Sequence, residues 1–465
     1  MSAGTFNALP SNLILRIFKD LRDWEEWLPE RDVLESGKIL YRSGWMMVTH
    51  VCRRWREIAL NDPSLWAEST IDVLSIHPNY IPVILERSSP LPLSIQIEYE
   101  DSFDDIAEDP GLHAWLSPEG LRRVESFSVE GELGLLDFTL PRLPDDLIHL
   151  KKLFLSVNDI EDPIILPPFL ANLSHIEMLW LESCALPWTS PIYSPNLTYL
   201  HFRGTGHDPP KSYTEFNDLI ARLPRLDTLH LINFVPVQSH SDTAPHEGVL
   251  ALPSCFRWLE FIVTKKHMLS DGLVFLSDLH APPTYTRQIQ ILNIPDALSS
   301  TASFDTAVRT MLRRLFVTDH PSLVPRALDI RGDLISVQSG DIEAQDAMYR
   351  QIYEIPATRE SPQSVISLRP DHDDSAALQC KMLACLPQTA LESLRRISFA
   401  ASAIRAIDTL GLWTHLRAAV NVRHVDIGLD PFEFASSDCA PLLQRFEQRL
   451  AVPLERNILR SEKWR

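Results

Sequence analysis

Two apolar rhythms divide this chain. Near its start, Leu13, Ile14, Ile17, Phe18 and Leu21 recur at i, i+1, i+4, i+5 and i+8, which is one face of a helix. Val48, Val51, Cys52, Trp55, Ile58 and Ala59 predict a second helix. Asp62 before Pro63 stops it, because the residue ahead of a proline avoids the α region. Ser64 and Leu65-Trp66 then fold back. Helices this short bury little surface alone and gain stability by docking onto something.

Beyond residue 120 the rhythm changes to a longer period. Leu150-x-x-Leu153-x-Leu155-x-x-Asn158-x-Ile160 and Ile176-x-x-Leu179-x-Leu181-x-x-Cys184-x-Leu186 match the leucine-rich repeat template, the second with Ile in first place. Shorter copies begin at Val124, Leu197, Leu226 and Phe256, and two more at Leu394 and Val422. The successive starts from Val124 lie about 21–30 residues apart, close to the leucine-rich range of about 20–29. Each unit predicts one short strand whose leucines point to a shared core, with a helix or irregular return leg such as Asn217–Leu223. No unit can bury its apolar face alone, so neighbours stack. The other reading is a set of unrelated strands in an α/β domain. Thr286-x-x-Ile289, Pro325-x-x-Leu328 and Gln363-x-x-Ile366 are degenerate copies with longer legs. The Asn158 or Cys184 position is expected to bond buried loop backbone. Alternating Leu93, Ile95 and Ile97 predict a strand that starts the array.

The head carries a resemblance. Leu9-Pro10, then Ile17-Phe18, then Val51-Cys52-x-x-Trp55-x-x-Ile58-Ala59 and Pro63-x-Leu65-Trp66 occur together and in order. This resembles the F-box, and the wording from Gly44-Trp45 to Trp66 is most similar to F-box-like proteins of mushroom-forming fungi. An ordinary helical hairpin is the alternative. The sequence departs from the compact family form where residues 22–44, with Trp24 and Trp27, intervene before the Val-Cys pair. The resemblance implies binding to the Skp adaptor of cullin–RING ubiquitin ligases, and through it to cullin. The residues it assigns to that contact are Leu9, Pro10, Leu13, Ile14, Ile17, Phe18, Val51 and Trp55, some of which must instead hold the head's own core. The array would capture a protein substrate, and the chain would supply proximity without chemistry of its own.

The predicted organisation is therefore α/β: an F-box-like helical domain at 9–67, a connecting segment and first strand at 68–120, a leucine-rich-repeat-like solenoid at 121–435 and a C-terminal helix or tail at 436–465. Between the inward leucines lie the positions of the open face: Phe154, Ser156, Trp180, Glu182, His201, Arg203, His230 and Ile232. Phe154, Trp180, His201 and His230 are the candidate substrate contacts, since aromatic side chains dominate interface hot spots. The competing reading has the rings stacking on each other across neighbouring strands.

Composition narrows the partners. At 465 residues the chain exceeds one compact core. A formal charge of −19 argues against a general nucleic-acid binder and permits attraction to a basic partner. No apolar run approaches the roughly 20 residues that span a membrane, and the N-terminus lacks a signal-peptide pattern. A cytoplasmic or nuclear location follows as an expectation. With 15 glycines against 35 prolines, there is no phosphate-cradling glycine loop and no Gly-x-Ser-x-Gly elbow. No catalytic residue, metal ligand or cofactor is expected. Six scattered cysteines read as free thiols, Cys380-x-x-x-x-Cys385 as helix packing and Asp371-His372-Asp373-Asp374 as a solvated loop. The alternative function is a leucine-rich-repeat scaffold with no ligase role.

Overall fold

The computed structural model describes residues 9–34, 36, 38–67, 72–99, 106–144, 147–158, 160, 162–205, 212–237, 250–282, 285–295, 298, 301–316, 324–330, 335–339, 364–370, 383–400, 407 and 410–428. The chain forms two compact units, Met1–His201 and Phe202–Arg465. The acidic run at 371–374, Cys380 and the tail at 436–465 lie outside the described residues.

The first unit opens with helix α1 (Ser11–Arg22), whose N-cap is Pro10. The expected second helix is two pieces. Gly44–His50 is a 3₁₀ turn, and helix α2 runs from Arg53 to Leu60. The break falls at Cys52, which is extended at φ −158° and ψ 167° and caps α2 by accepting the Trp55 N–H on Sγ at 3.5 Å. Asn61 then caps its C-terminus, and helix α3 (Ser64–Ala67) folds back as expected. Residues 22–44 also hold structure. After a turn at Glu25–Trp27 come strands β1 (Glu30–Val33) and β2 (Ile39–Arg42), paired antiparallel.

The repeats follow. Strands β3 (Leu93–Tyr99), β4 (Val124–Gly131), β5 (Lys152–Val157) and β7 (Met178–Glu182) pair in parallel. Two-residue strands β6 (Ile164–Ile165) and β8 (Cys184–Ala185) pair beside them. Phe127 lies opposite Leu153, and Leu153 opposite Leu179, while Val129, Leu155 and Leu181 form the next row. All six are at most 1% exposed. A constant 26-residue step thus places like side chains beside like and fills one core with two rows. Parallel strands this close in sequence need a crossover leg, which each unit supplies.

Strand β9 (Tyr199–Arg203) carries the division between the units. The second unit continues with β10 (Thr228–Ile232), β11 (Leu250–Ala251), β12 (Trp258–Val263), β13 (Leu279–His280) and β14 (Thr286–Ile294). Leu229 faces Leu259 and Leu231 faces Phe261. At β14 the register corrects the sequence alignment. Phe261 lies opposite Ile289 and Val263 opposite Ile291, a step of 28 residues where the motif starts suggested 30. A slip of two leaves every side chain on its own face. The return leg is the helix Tyr213–Ala221, longer than expected because Ser212 and Glu215 form a reciprocal capping box. Helices Leu269–Asp278 and Ala302–Phe316 serve later units.

The degenerate middle is where the simple progression fails. Its strands are β15 (Pro325–Ile330), β16 (Ile335–Ser339) and β17 (Ser364–Pro370), ahead of β18 (Arg396–Ala400) and β19 (His424–Gly428). Strand β14 pairs with β17 directly, then β16 and β15 follow through antiparallel pairings before β18 and β19 resume in parallel. The 325 and 363 motifs are therefore not successive turns of the solenoid. A hairpin strand, Ile335–Ser339, stands between them.

A second correction concerns the turn after each strand. The described non-glycine residues in left-handed backbone are Ser183, Asn233 and Asn293, at φ 54°, 48° and 58°. Each lies seven residues after its motif start, one place before the expected ladder position. Asn233 Oδ1 accepts the Thr264 N–H at 2.8 Å and its hydroxyl at 3.0 Å, and Asn293 Nδ2 donates to the Thr264 carbonyl at 3.2 Å. Asn tolerates this conformation and brings its own acceptor. Of the two residues named from sequence, Cys184 is a buried thiol whose pKa is pushed up to about 12 by burial. Asn158 meets Gly131 O through its backbone N–H.

Asp72 joins the head to the array. It bridges to Gln96, and its carboxylate accepts the N–H groups of Leu74 at 3.1 Å and Glu98 at 3.2 Å and the Ser75 hydroxyl at 3.3 Å. Burial outweighs those bonds and raises its pKa to about 6, with the Glu98 charge adding to it.

Two outcomes follow. Asn233→Ala should lower stability by about 1–3 kcal/mol in urea denaturation, since it strips the part-buried Thr264 N–H of its acceptor and strains the turn. Because the folded Asp72 pKa exceeds the unfolded one, its contribution is fully present below about pH 4 and is lost as pH rises through about 6. Denaturation at a series of pH values should show Asp72→Asn, which keeps the cap, flattening that part of the profile by about 2–3 kcal/mol.

Candidate functional site

On α1 the two apolar spacings separate into two roles. Ile14 and Phe18, one turn apart, are 1% and 0% exposed. Phe18 meets Trp55 edge-on at 5.2 Å between ring centroids, so half-buried Trp55 closes the head from the α2 side. Ile14 and Phe18 are thus core residues and leave the set of adaptor contacts. Leu13 and Ile17, the same distance apart, are 45% and 41% exposed, and Val51 is 62% exposed. Pro10 is exposed at the entry to α1, and the half-buried Leu9 is pinned by its carbonyl, which accepts from Arg54 Nη2 at 2.5 Å. Met47, 51% exposed, belongs with the outward group. It went unnoticed in the sequence because a 3₁₀ turn does not follow the helical spacing.

The head is stiffened from inside. Trp45 and Trp66 pack at 5.1 Å, and Trp66 Nε1 donates to Ala59 O at 2.8 Å. Arg22, 6% exposed, donates to Ser64 O at 3.2 Å and to Asp23 at 2.9 Å. Large apolar side chains on a rigid, otherwise satisfied helical surface mark a protein-contact face.

The second candidate lies on the open face of the sheet in the first unit. Phe154 and Trp180 are register partners with rings 6.0 Å apart. Trp180 also stacks on Tyr199 at 6.1 Å and on His201 at 3.6 Å, the last nearly parallel at 6°. The rings therefore form one continuous row across strands, as the competing reading held. His201 is only 1% exposed. Its Nε2 lies 3.3 Å from Glu182 Oε1, and Glu182 Oε2 accepts the Ser156 hydroxyl at 3.0 Å. His201 is thus part of the support beneath Trp180, not a surface contact, because stacking and the carboxylate hold it inside. Half-buried Phe154 and Trp180 keep accessible edges. In the second unit His230 is half-shielded too, its Nδ1 held 2.5 Å from Glu260 Oε2. Tyr199, Glu182 and Glu260 were passed over as contacts although they occupy the same outward rows.

Among the described residues no group of three or more His, Cys, Asp or Glu could hold a metal ion, and no helix is long and apolar enough to cross a membrane.

A family model described as F-box-like matches residues 6–72. No curated protein matches the chain. Among solved structures the chain is similar to the leucine-rich repeat-containing protein LegL7 from Legionella pneumophila, at 12% identity and a TM-score of 0.29 over 81% of this chain and 96% of that one. It is also similar to a leucine-rich repeat protein of Leptospira interrogans, at 11% identity and a TM-score of 0.26 over 80% and 98%. The repeat assignment stands on strand register, since these scores are too low to support it.

The division of α1 is testable. Phe18→Ala should destabilise by about 3–5 kcal/mol in chemical denaturation. Leu13→Ala and Ile17→Ala should each stay within about 0.5 kcal/mol of the unsubstituted chain.

Proposed function

We propose that this protein is the substrate receptor of a cullin–RING ubiquitin ligase, of the fungal F-box-like kind that its head resembles. The head docks a Skp-type adaptor, which carries cullin, and the open sheet face holds a protein substrate through Phe154, Trp180 and their neighbours. The protein itself performs no turnover and works where the ligase works, in cytoplasm or nucleus. The observation that carries this reading is the exposure of Leu13, Ile17, Met47 and Val51 on a helical head whose core is closed without them, within the segment similar to F-box-like domains. Burying a large aliphatic side chain is worth about 1.5–3 kcal/mol, so four of them on one partner can support a stable complex.

Co-purification with a Skp-type adaptor tests the docking step. The intact chain should retain the adaptor, and Leu13→Asp/Ile17→Asp/Val51→Asp should weaken retention at least about tenfold while leaving the unfolding midpoint in place, because each introduced carboxylate would lose water in the complex. An intact chain that retains no adaptor would sink the ligase reading and leave a repeat scaffold.

A further inference from the structure

The hairpin inserted into the head has two faces, and they do different things. Glu30 is opposite Arg42, and Arg31 is opposite Tyr41. Arg42 closes its own face, bonding Glu30 at 2.8 Å and Asp32 at 3.4 Å. On the other face Arg31 and Tyr41 meet residues of the connecting segment and first strand. The Arg31 guanidinium lies 3.5 Å from Asp109 Oδ2, with the two side chains 10% and 8% exposed. It also lies 5.9 Å from the ring of Tyr99, at the end of β3. Tyr41 meets His77 edge-on at 4.9 Å, and His77 meets Tyr80 at 6.2 Å. Burial raises the Tyr41 pKa, the Asp109 charge adds to it and Arg31 opposes it, so all three groups share one site.

Both ends of this connection are fixed. Asp109 is the N-cap of helix Pro110–Trp115, accepting the N–H groups of Gly111 at 2.7 Å and Leu112 at 3.3 Å. At the hairpin's root Gly44 has φ +52°, and a Cβ there would sit 2.5 Å from the backbone of Trp27, Leu28 and Pro29. That root admits glycine alone. A two-stranded hairpin is marginal by itself, so its order comes from what it grips. A first fastening of head to array is apolar: Trp45 and Trp66 of the head share a void of about 20 Å³ with Ile84, Leu93 and Trp115. One apolar contact resists separation but opposes rotation weakly, being non-directional. The Arg31–Asp109 pair is directional and opposes rotation, adding to the directional bond that Asp72 already makes to the Glu98 N–H.

We infer that the hairpin at Glu30–Arg42 is a brace, locking the orientation of the head against the first strand of the array through Arg31–Asp109 and Tyr41–His77. Its functional meaning rests on the docking reading above: a braced head carries its adaptor in one fixed direction relative to the sheet face. The brace itself does not depend on that reading.

Spin labels introduced as unnatural amino acids at exposed Arg16 and Ile148 of the full chain measure the head-to-array distance by pulsed dipolar spectroscopy. The otherwise unsubstituted chain should give one narrow distribution. Arg31→Met/Tyr41→Ala should widen it at least about twofold with the array's unfolding midpoint retained. Asp109→Asn, which can keep Oδ1 on the helix cap while an amide NH2 replaces the oxygen that faces Arg31, should widen it to a lesser degree and decides the matter if the double variant does not fold. A distribution as narrow in the folded variants as in the parent overturns the brace. Adaptor co-purification in parallel keeps the two ideas apart: its failure with the parent counts against docking, while the width comparison alone judges the brace.

Discussion

Everything in the repeat region depends on one constraint: the parallel pairing of short strands in equal register. A strand of five or six residues with two or three leucines on one side cannot bury them alone. Phe127 beside Leu153 beside Leu179 solves this by giving each strand its neighbour's apolar row as a wall. The period-2 pleat then forces the alternate residues outward, so the open face exists because the core does. Ring rows such as Phe154, Trp180 and Tyr199 follow from the same register, since in-register strands line up outward positions as strictly as inward ones. Even the left-handed turns at Ser183, Asn233 and Asn293 obey it, because each strand must leave the sheet at an equivalent point.

The constraint also decides what could be read from the sequence. Inward leucines were legible because a core position tolerates only apolar side chains, and two units repeat the full spacing. The ladder residue was misplaced by one because Asn158 and Cys184 satisfy the template in letters, while the backbone needs its acceptor where φ is positive. The order of β14, β17, β16 and β15 left no trace, since Pro325–Ile330 and Ser364–Pro370 have the same alternation whether their neighbours come next in sequence or return through a hairpin. His201 was placed correctly on its strand and wrongly in its exposure. Strand position is a local property, and the ring that covers it, Trp180, comes from the preceding repeat.

In the head the ambiguity has a different origin. Ile14 and Phe18 share a spacing with Leu13 and Ile17, so periodicity describes one wide apolar stripe. A helix that only completes its own core needs a narrower one. The surplus width is therefore itself a signal that two surfaces contact α1, one supplied by Trp55 and its neighbours and one by solvent in the isolated chain. The longer connection to α2 first reads as a weakening of this design. Its hairpin spends a nearly buried arginine on Asp109, and desolvating such a pair is costly enough to cancel much of its attraction.

That cost is informative when it is set beside geometry. An ion pair with little net stabilising value still specifies direction, because Arg31 can meet Asp109 only if the hairpin, the Pro110–Trp115 helix and the end of β3 hold one arrangement. Apolar contacts in the void between Trp66, Leu93 and Trp115 lack that selectivity, since sliding by an ångström trades one carbon neighbour for another. A receptor of the proposed kind depends on the direction in which its adaptor-docking head faces. On the brace proposal the stabilising task falls to the apolar core, and the orienting task is shared by the buried polar pair and the Asp72 bond to β3.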